Sequence, residues 1–242
     1  EVTLADNSKA AAAVFSGIEL GGTGEAGSIS VKTPSLSIRN GGLTTSTFSS
    51  LNETVSDDDS NISTITVSAD EMELSGNSGI LADTFGSARG GDILLQPYAP
   101  GGDIEINTIG NSAEISASTA RGSSGPGGNI TIQNAEIARL ENTELFTSSS
   151  GVGDAGGISV QNVGVLLMRH GSLIQAGASN TGNGGDVDID ADFVVTVPGE
   201  DNDILANATF GDGGNINITA NRIIGFQTLE EFSNNSSLRG NC

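Results

Sequence analysis

The residues best suited to chemistry in this chain are acidic. Asp186, Asp188, Asp190 and Asp192 alternate with Val187, Ile189 and Ala191, so a strand here carries all four carboxylates on one face. Asp57, Asp58 and Asp59 form a second cluster in a loop-like segment. Carboxylate oxygens suit calcium, and Asp186, Asp188 and Asp190 are the weak calcium candidates. Neither cluster has the spacing of an EF-hand loop or of the nonapeptide calcium repeat. The expectation is therefore a solvated acidic face without a resident metal.

Basic partners for those acids are scarce: Lys9, Lys32 and seven arginines. Arg139 and Arg169 follow their preceding glycines, Gly128 and Gly156, by 11 and 13 residues, which places them near one face of a repeating structure. Cleavage of an acidic polysaccharide needs clustered carboxylates, or calcium-binding aspartates with a basic proton acceptor. So few bases assign no catalytic residue, and an enzyme is not expected. His170 is the sole histidine, in the turn Arg169-His170-Gly171, without sequence partners for a triad or a metal cluster. The Gly-Gly pairs lack the strand–glycine–helix context and lysine of a phosphate cradle. Asn129 and Asn217 open Asn-x-Ser/Thr triplets and are read as polar strand positions. No cofactor is expected, and the ligand is unknown.

The net charge of −21, from 30 acids against 9 bases, repels nucleic acid and anionic membranes. Apolar residues make up 36%, without Trp and with a single Tyr, so a core must be built from aliphatic side chains that favour strands. The longest apolar run, residues 163–168, is far short of the roughly 18 residues of a membrane span. Cys242 is the only cysteine, which excludes an intrachain disulfide and a Cys-rich zinc site. The start at Glu1, without Met or signal peptide, is expected of a mature or excised piece.

What must position these residues is a repeat. The pattern small-Gly-x-Ile/Val-x-Ile/Val occurs at Gly27, Gly91, Gly102, Gly128, Gly156, Gly185 and Gly214, with a glycine-free copy at Ser63. From Gly102 onward the steps are 26, 28, 29 and 29 residues, and Ser63 to Gly91 is 28. The step from Gly27 to Ser63 is 36, with its excess at the acidic residues 52–61. Each glycine opens an alternating strand. Further alternations follow, such as Leu36-Ser37-Ile38 and Met72-Glu73-Leu74, then runs such as Ile80-Leu81-Ala82-Asp83-Thr84-Phe85 and Ile204-Leu205-Ala206.

Three short strands per 26–29 residues predict an all-β right-handed parallel β-helix of about eight coils, stacked at about 4.8 Å into a body about 40 Å long. Ile130, Ile158, Val187 and Ile216 should form an inward ladder. Outside, Asp188 should lie between Ser159 and Asn217, and Asp186 between Gly157 and Asn215, so that neutral residues separate the acids. Gly91 and Gly102 are too close for a coil, and Gln96-Pro97-Tyr98-Ala99-Pro100 between them reads as an inserted loop. Residues 1–228 read as the repeat region and 229–242 as an irregular tail or truncated coil.

The run Gly184-Gly185-Asp186-Val187-Asp188-Ile189-Asp190-Ala191-Asp192-Phe193-Val194-Val195, followed by Asp203-Ile204-Leu205-Ala206-Asn207-Ala208, resembles the filamentous-haemagglutinin-like large exoproteins, also labelled haem utilization or adhesion. Gly213-Gly214-Asn215-Ile216-Asn217-Ile218-Thr219, running on to Ile223-Ile224-Gly225-Phe226, resembles them too. The likeness covers essentially the whole chain and is strongest over 101–226. It implies a β-helical passenger exported by an outer-membrane transporter of a two-partner secretion system. It also implies an extracellular or outer-surface location on a Gram-negative bacterium and a role in adhesion to cells, matrix or glycans. The amino-terminal secretion domain of such proteins has no counterpart here, as expected of an internal or late passenger segment. The single His, two Met and one Cys lend no support to haem binding. The alternative readings are a β-helical lyase or hydrolase acting on acidic glycans, and an ice-binding solenoid, which the sparse Thr44, Thr66 and Thr131 disfavour.

Overall fold

The computed structural model of the chain describes residues 2–5, 9–10, 14–17, 27–48, 62–110, 113–226 and 237–240. Among them there are strands and no helix, in a 13-stranded and a 9-stranded sheet. Every strand pairing is parallel. The aspartates Asp57, Asp58 and Asp59, and Cys242, lie outside the described residues.

The chain runs through three rows of strands in turn and then returns to the first. Row one includes Ile29–Lys32, Thr64–Ser68, Asp92–Gln96 and Ile130–Gln133. Row two includes Ser35–Arg39, Glu71–Ser75, Ile104–Ile109 and Ile137–Glu141. Row three includes Gly42–Phe48, Gly79–Leu81, Glu114–Ser116, Glu144–Phe146, Leu173–Gln175 and Asp203–Ala206. From Ile158 onward a single long strand passes through rows one and two: Ile158–Arg169, Val187–Thr196 and Ile216–Ile224. The first two of these pair with a register shift at the corner, between Val160 and Val163. These strands join rows one and two into the 13-stranded sheet.

Alternation dictates this arrangement. In Ile130–Gln133 the residues Ile130 and Ile132 are buried while Thr131 and Gln133 are half-buried. A lone lap of chain cannot cover its apolar side, so each lap is covered by the next. The row-one ladder runs Ile29, Ile65, Ile93, Ile130, Ile158, Val187 and Ile216 in register. All but Ile216 are at most 1% exposed, and Ile216 packs against the core from its edge. Row three contributes Leu43, Ile80, Ile115, Leu145, Ile174 and Ile204, again in register and fully buried. The expected inward column is thus present.

The lap length needs correction. The ladder steps are 36 (Ile29 to Ile65), 28, 37 (Ile93 to Ile130), 28, 29 and 29 residues, not 26–29 throughout. The 26-residue step was an artefact of Gly102. Ile104–Ile109, which follows it, pairs with Glu71–Ser75 and Ile137–Glu141 in row two, so it does not open a lap. The glycine motif reports only a turn followed by a half-buried strand, and rows one and two both begin that way. The inserted loop is residues 97–103; Gln96 itself remains in the ladder opposite Ser68.

The glycines that do open laps share one requirement. A Cβ on Gly128 would lie 1.9 Å from the carbonyl oxygen of Gly91, one on Gly156 1.9 Å from that of Gly128, and one on Gly185 1.9 Å from that of Gly156. Gly214 continues the column at 2.1 Å from the Gly185 oxygen. Close backbone approach between laps, rather than an unusual dihedral, excludes every side chain here. A second column, Gly125, Gly153, Gly182 and Gly211, repeats the crowding at the turn that follows row three.

Candidate functional site

At the corner between rows one and two, a groove of about 520 Å3 runs across several laps. Its floor is made of small residues on successive laps, Ala135, Val163 with Gly164, and Ala191. A Cβ at Gly164 would meet the Glu136 carbonyl oxygen at 2.5 Å, so no side chain can fill the floor there. Asn134 and Asn162 turn the corner with φ of 61° and 53°, a left-handed conformation that asparagine tolerates better than most residues. The Asn162 amide donates to Asn134 Oδ1 at 2.9 Å. Beside them, Gln133 donates to Gln96 Oε1 at 3.1 Å and Gln96 to Ser68 Oγ at 2.9 Å. Three successive laps thus carry one or two side-chain amides each at the corner, hydrogen-bonded along the stacking direction.

The inserted loop forms one wall. The Tyr98 backbone N–H donates to Asp70 Oδ1 at 2.9 Å, the Gly102 N–H closes a turn on the Ala99 carbonyl at 3.0 Å, and the Glu136 N–H donates to the Gly102 carbonyl at 2.9 Å. The loop is therefore fixed to laps on both sides of its own. Tyr98, the only tyrosine, lines the groove, and Lys32 Nζ stands 5.3 Å from its ring centroid, within cation–π range. Glu136, Asp190 and Asp192 also line the groove against the single cation Lys32, so its potential is negative.

The candidate aspartates form one outer edge, and each faces a neutral group on the next lap. Asn215 donates its backbone N–H to Asp186 Oδ1 at 2.7 Å and its amide to the same oxygen at 3.1 Å. Asn217 donates to Asp188 at 2.8 Å and Asn221 to Asp192 at 3.1 Å, while Asp190 is in register with Thr219. Asp188 does lie between Ser159 and Asn217. Among the described residues, no group of three or more His, Cys, Asp or Glu side chains is placed to hold a metal ion.

Arg139 and Arg169 fall on the outer side of row two, in register with Leu167 and Glu141 respectively. Arg139 has its partner two residues on, at Glu141, whereas Arg169 and His170 find theirs a lap away. Arg169 grips Glu200 through Nη2 and Nε at 2.8 Å, and the His170 backbone N–H donates to the same carboxylate at 2.8 Å. His170 Nδ1 lies 2.6 Å from Glu141 Oε2, and Arg139 lies 3.2 Å from Glu141 Oε1. The Arg169 guanidinium pulls the Glu200 carboxyl down to a pKa of about 2. Glu141 and Glu200 are 29 and 30 residues from His170, one lap each way, so the repeat period was the signal that could have found them. A different pair of carboxyls behaves oppositely: burial raises Asp83, which accepts from Ser118 N–H and Ser116 Oγ, and burial with repulsion from Asp83 and Glu144 raises Glu114. They belong to row three and its following turn, away from the arginines of row two.

Row two also shows an apolar exterior. Val165, Phe193 and Arg222 are in register, as are Arg139, Leu167, Val195 and Ile224, and Phe193 and Ile224 are 38% and 48% exposed. The apolar run 163–168 supplies this face as well as the core.

No family model matches the chain, and neither a curated protein nor a solved structure matches it. No helix among the described residues is long and apolar enough to cross a membrane.

Proposed function

We propose that the chain is a right-handed parallel β-helix of about eight coils and that it serves as a structural rod with adhesive surfaces. On this reading it is a passenger segment of a large secreted exoprotein of the filamentous-haemagglutinin type. An outer-membrane two-partner secretion transporter would deliver it to the outer surface of a Gram-negative bacterium, where it contacts cells, matrix or glycans. The observation that carries the architecture is the row-one ladder, seven aliphatic residues paired only in parallel and only with the laps before and after. Parallel strands joined by crossovers favour the right hand. Glycine columns that forbid a side chain between laps support close stacking. The acidic exterior, with amides interposed between aspartates, suits a rod that stays soluble outside the cell.

The competing reading is a lyase or hydrolase acting on acidic glycans. It needs carboxylates and a base converging on one cleft. Arg139 and Arg169 are paired with Glu141 and Glu200 on row two, and the raised carboxyls belong to row three and its turn; the groove does gather Glu136, Asp190 and Asp192, but its single cation, Lys32, is engaged over the Tyr98 ring. These positions favour contact over turnover.

Two measurements test the proposal on one preparation. Small-angle X-ray scattering should give an elongated particle, and incubation with polygalacturonate or alginate should release neither unsaturated uronate, the lyase product, nor new reducing ends, the hydrolase product. A globular scattering profile would sink the rod, and steady product formation would sink the non-enzymatic role.

A further inference from the structure

We propose that the corner groove binds an uncharged glycan, a neutral or N-acetylated sugar chain lying along the stacking direction. The proposal deepens the adhesive reading and rests on it, by assigning the contact to a place and a ligand class.

The geometry first selects a ligand that is long and narrow. The groove follows the corner across successive laps, bounded on one side by the inserted loop and floored by Ala135, Val163 and Ala191. Its hydrogen-bonding groups recur with the lap spacing of about 4.8 Å, comparable with the rise of one sugar unit in an extended glycan. Three of them are amides, Gln96, Asn134 and Asn162, beside the carboxylates of Glu136, Asp190 and Asp192. An amide offers donor and acceptor together, which matches hydroxyl and N-acetyl groups and gives no preference to a charged ligand.

Charge then selects within the glycans. Glu136, Asp190 and Asp192 outnumber Lys32 in the lining, and the chain as a whole carries −21. Uronate, sialylated and sulfated chains meet repulsion here, whereas a neutral sugar can donate hydroxyl protons to these carboxylates, the stronger class of hydrogen bond. A peptide adding to a sheet edge would need free backbone groups. At this corner the lap-to-lap ladder uses them: Asn134 N–H donates to the Gln161 carbonyl, and Gly164 N–H to the Ala135 carbonyl.

The loop supplies the remaining element. Laps elsewhere pass the corner in two or three residues, as from Lys32 to Ser35 or Gln133 to Ile137, but this lap inserts residues 97–103 and anchors them to Asp70 and Glu136. The insertion brings the only tyrosine to the groove. An aromatic ring is an amphipathic surface suited to the C–H faces of a pyranose, and a side chain held on a fixed loop loses little freedom on binding.

The test uses the protein as it is, titrated calorimetrically with hexa-N-acetylchitohexaose, cellohexaose and a heparin-derived hexasaccharide. At least one neutral hexasaccharide should bind with a Kd below about 1 mM, and heparin should not bind. Tyr98→Ala should weaken binding about tenfold, as for an interface anchor. Asn162→Gly keeps the left-handed corner while removing the amide, and should also weaken it. Phe210→Ser, remote from the groove and exposed, should leave it unchanged. Circular dichroism verifies that each variant is folded. Absence of binding by both neutral sugars, tighter binding of heparin, or unchanged affinity in folded Tyr98→Ala and Asn162→Gly would overturn the proposal. Failure of the adhesive reading is distinguishable: it would show as an intact rod that fails to adhere to any cell or matrix surface, whereas failure here leaves surface adhesion in place without neutral-sugar affinity.

Discussion

Replacing Gly156 by alanine probes the closest contact between laps, and its neighbour Gly157 provides the control. The new Cβ at 156 would sit 1.9 Å from the Gly128 carbonyl oxygen and 2.6 Å from its carbon. Both atoms are backbone, so no side chain can swing aside. Reaching an ordinary separation requires the two laps to part locally by about 1.5 Å, a large fraction of the ~4.8 Å lap spacing. The Gly127 N–H to Asp154 carbonyl bond at 2.9 Å and the Ile130 N–H to Gly157 carbonyl bond at 3.1 Å span the same laps. Neither survives such a displacement. With about 1–3 kcal/mol for each of the two backbone pairs left buried and unsatisfied, the loss is about 2–6 kcal/mol, a large part of a typical total stability of 5–15 kcal/mol. A Cβ at Gly157, by contrast, meets nothing nearer than the Asp186 carbonyl oxygen at 3.3 Å. Reduced freedom of the unfolded chain offsets that small cost, so the net change is within about 1 kcal/mol. Urea unfolding followed by far-ultraviolet circular dichroism reads both, with midpoints compared because stacked repeats need not unfold in one step. Gly156→Ala should fail to fold or lose most of its midpoint, and Gly157→Ala should resemble the parent. Equal midpoints for the two variants would refute the close-approach argument.

Other perturbations separate the remaining contributions. Ile158→Ala empties a fully buried ladder position and should cost about 2–5 kcal/mol, whereas Ile216→Ala, at the half-buried edge, should cost clearly less in the same urea assay. Glu200 has its folded-state pKa lowered from 4.5 to about 2, so its stabilising contribution is complete above about pH 4.5 and is lost as the pH falls toward 2. Glu200→Gln should therefore be less stable than the parent at neutral pH, with the gap in melting temperature closing across that acidic window. Asp83 is shifted the other way by burial, so its charge opposes folding above its raised pKa and that penalty disappears as it protonates. Asp83→Asn retains an acceptor oxygen for the Ser118 N–H and Ser116 hydroxyl and should raise the melting temperature at neutral pH, with no gain at a pH low enough to protonate Asp83.

The strand pattern was readable because its cause is local. Alternation in Ile130-Thr131-Ile132 or Leu36-Ser37-Ile38 reflects one wet and one dry side of a strand, and regular spacing of Gly128, Gly156, Gly185 and Gly214 reflects equal laps. The same locality misled at Gly102, where a turn and an alternating strand imitate the start of a lap. Only the pairing of Ile104–Ile109 with Ile137–Glu141 distinguishes row two from row one. The corner groove was hidden for a related reason. Tyr98, Asn134, Asn162 and Asp190 come from four different laps, and nothing in their immediate surroundings marks them as neighbours. His170 looked unpartnered because Glu141 and Glu200 are each a lap away.

What the sequence determined alone was the element type, the inward or outward sense of each side chain, and the acidic character of the surface, all set by nearest-neighbour periodicity and composition. Tertiary structure decided the register between laps whose lengths differ, 28 against 36 or 37 residues. It thereby decided which outward residues meet. The physical reason is that stacking energy is gathered by the buried columns, which tolerate loops of any length at the corners. Surface chemistry follows from where those loops fall, and that depends on contacts across a whole lap.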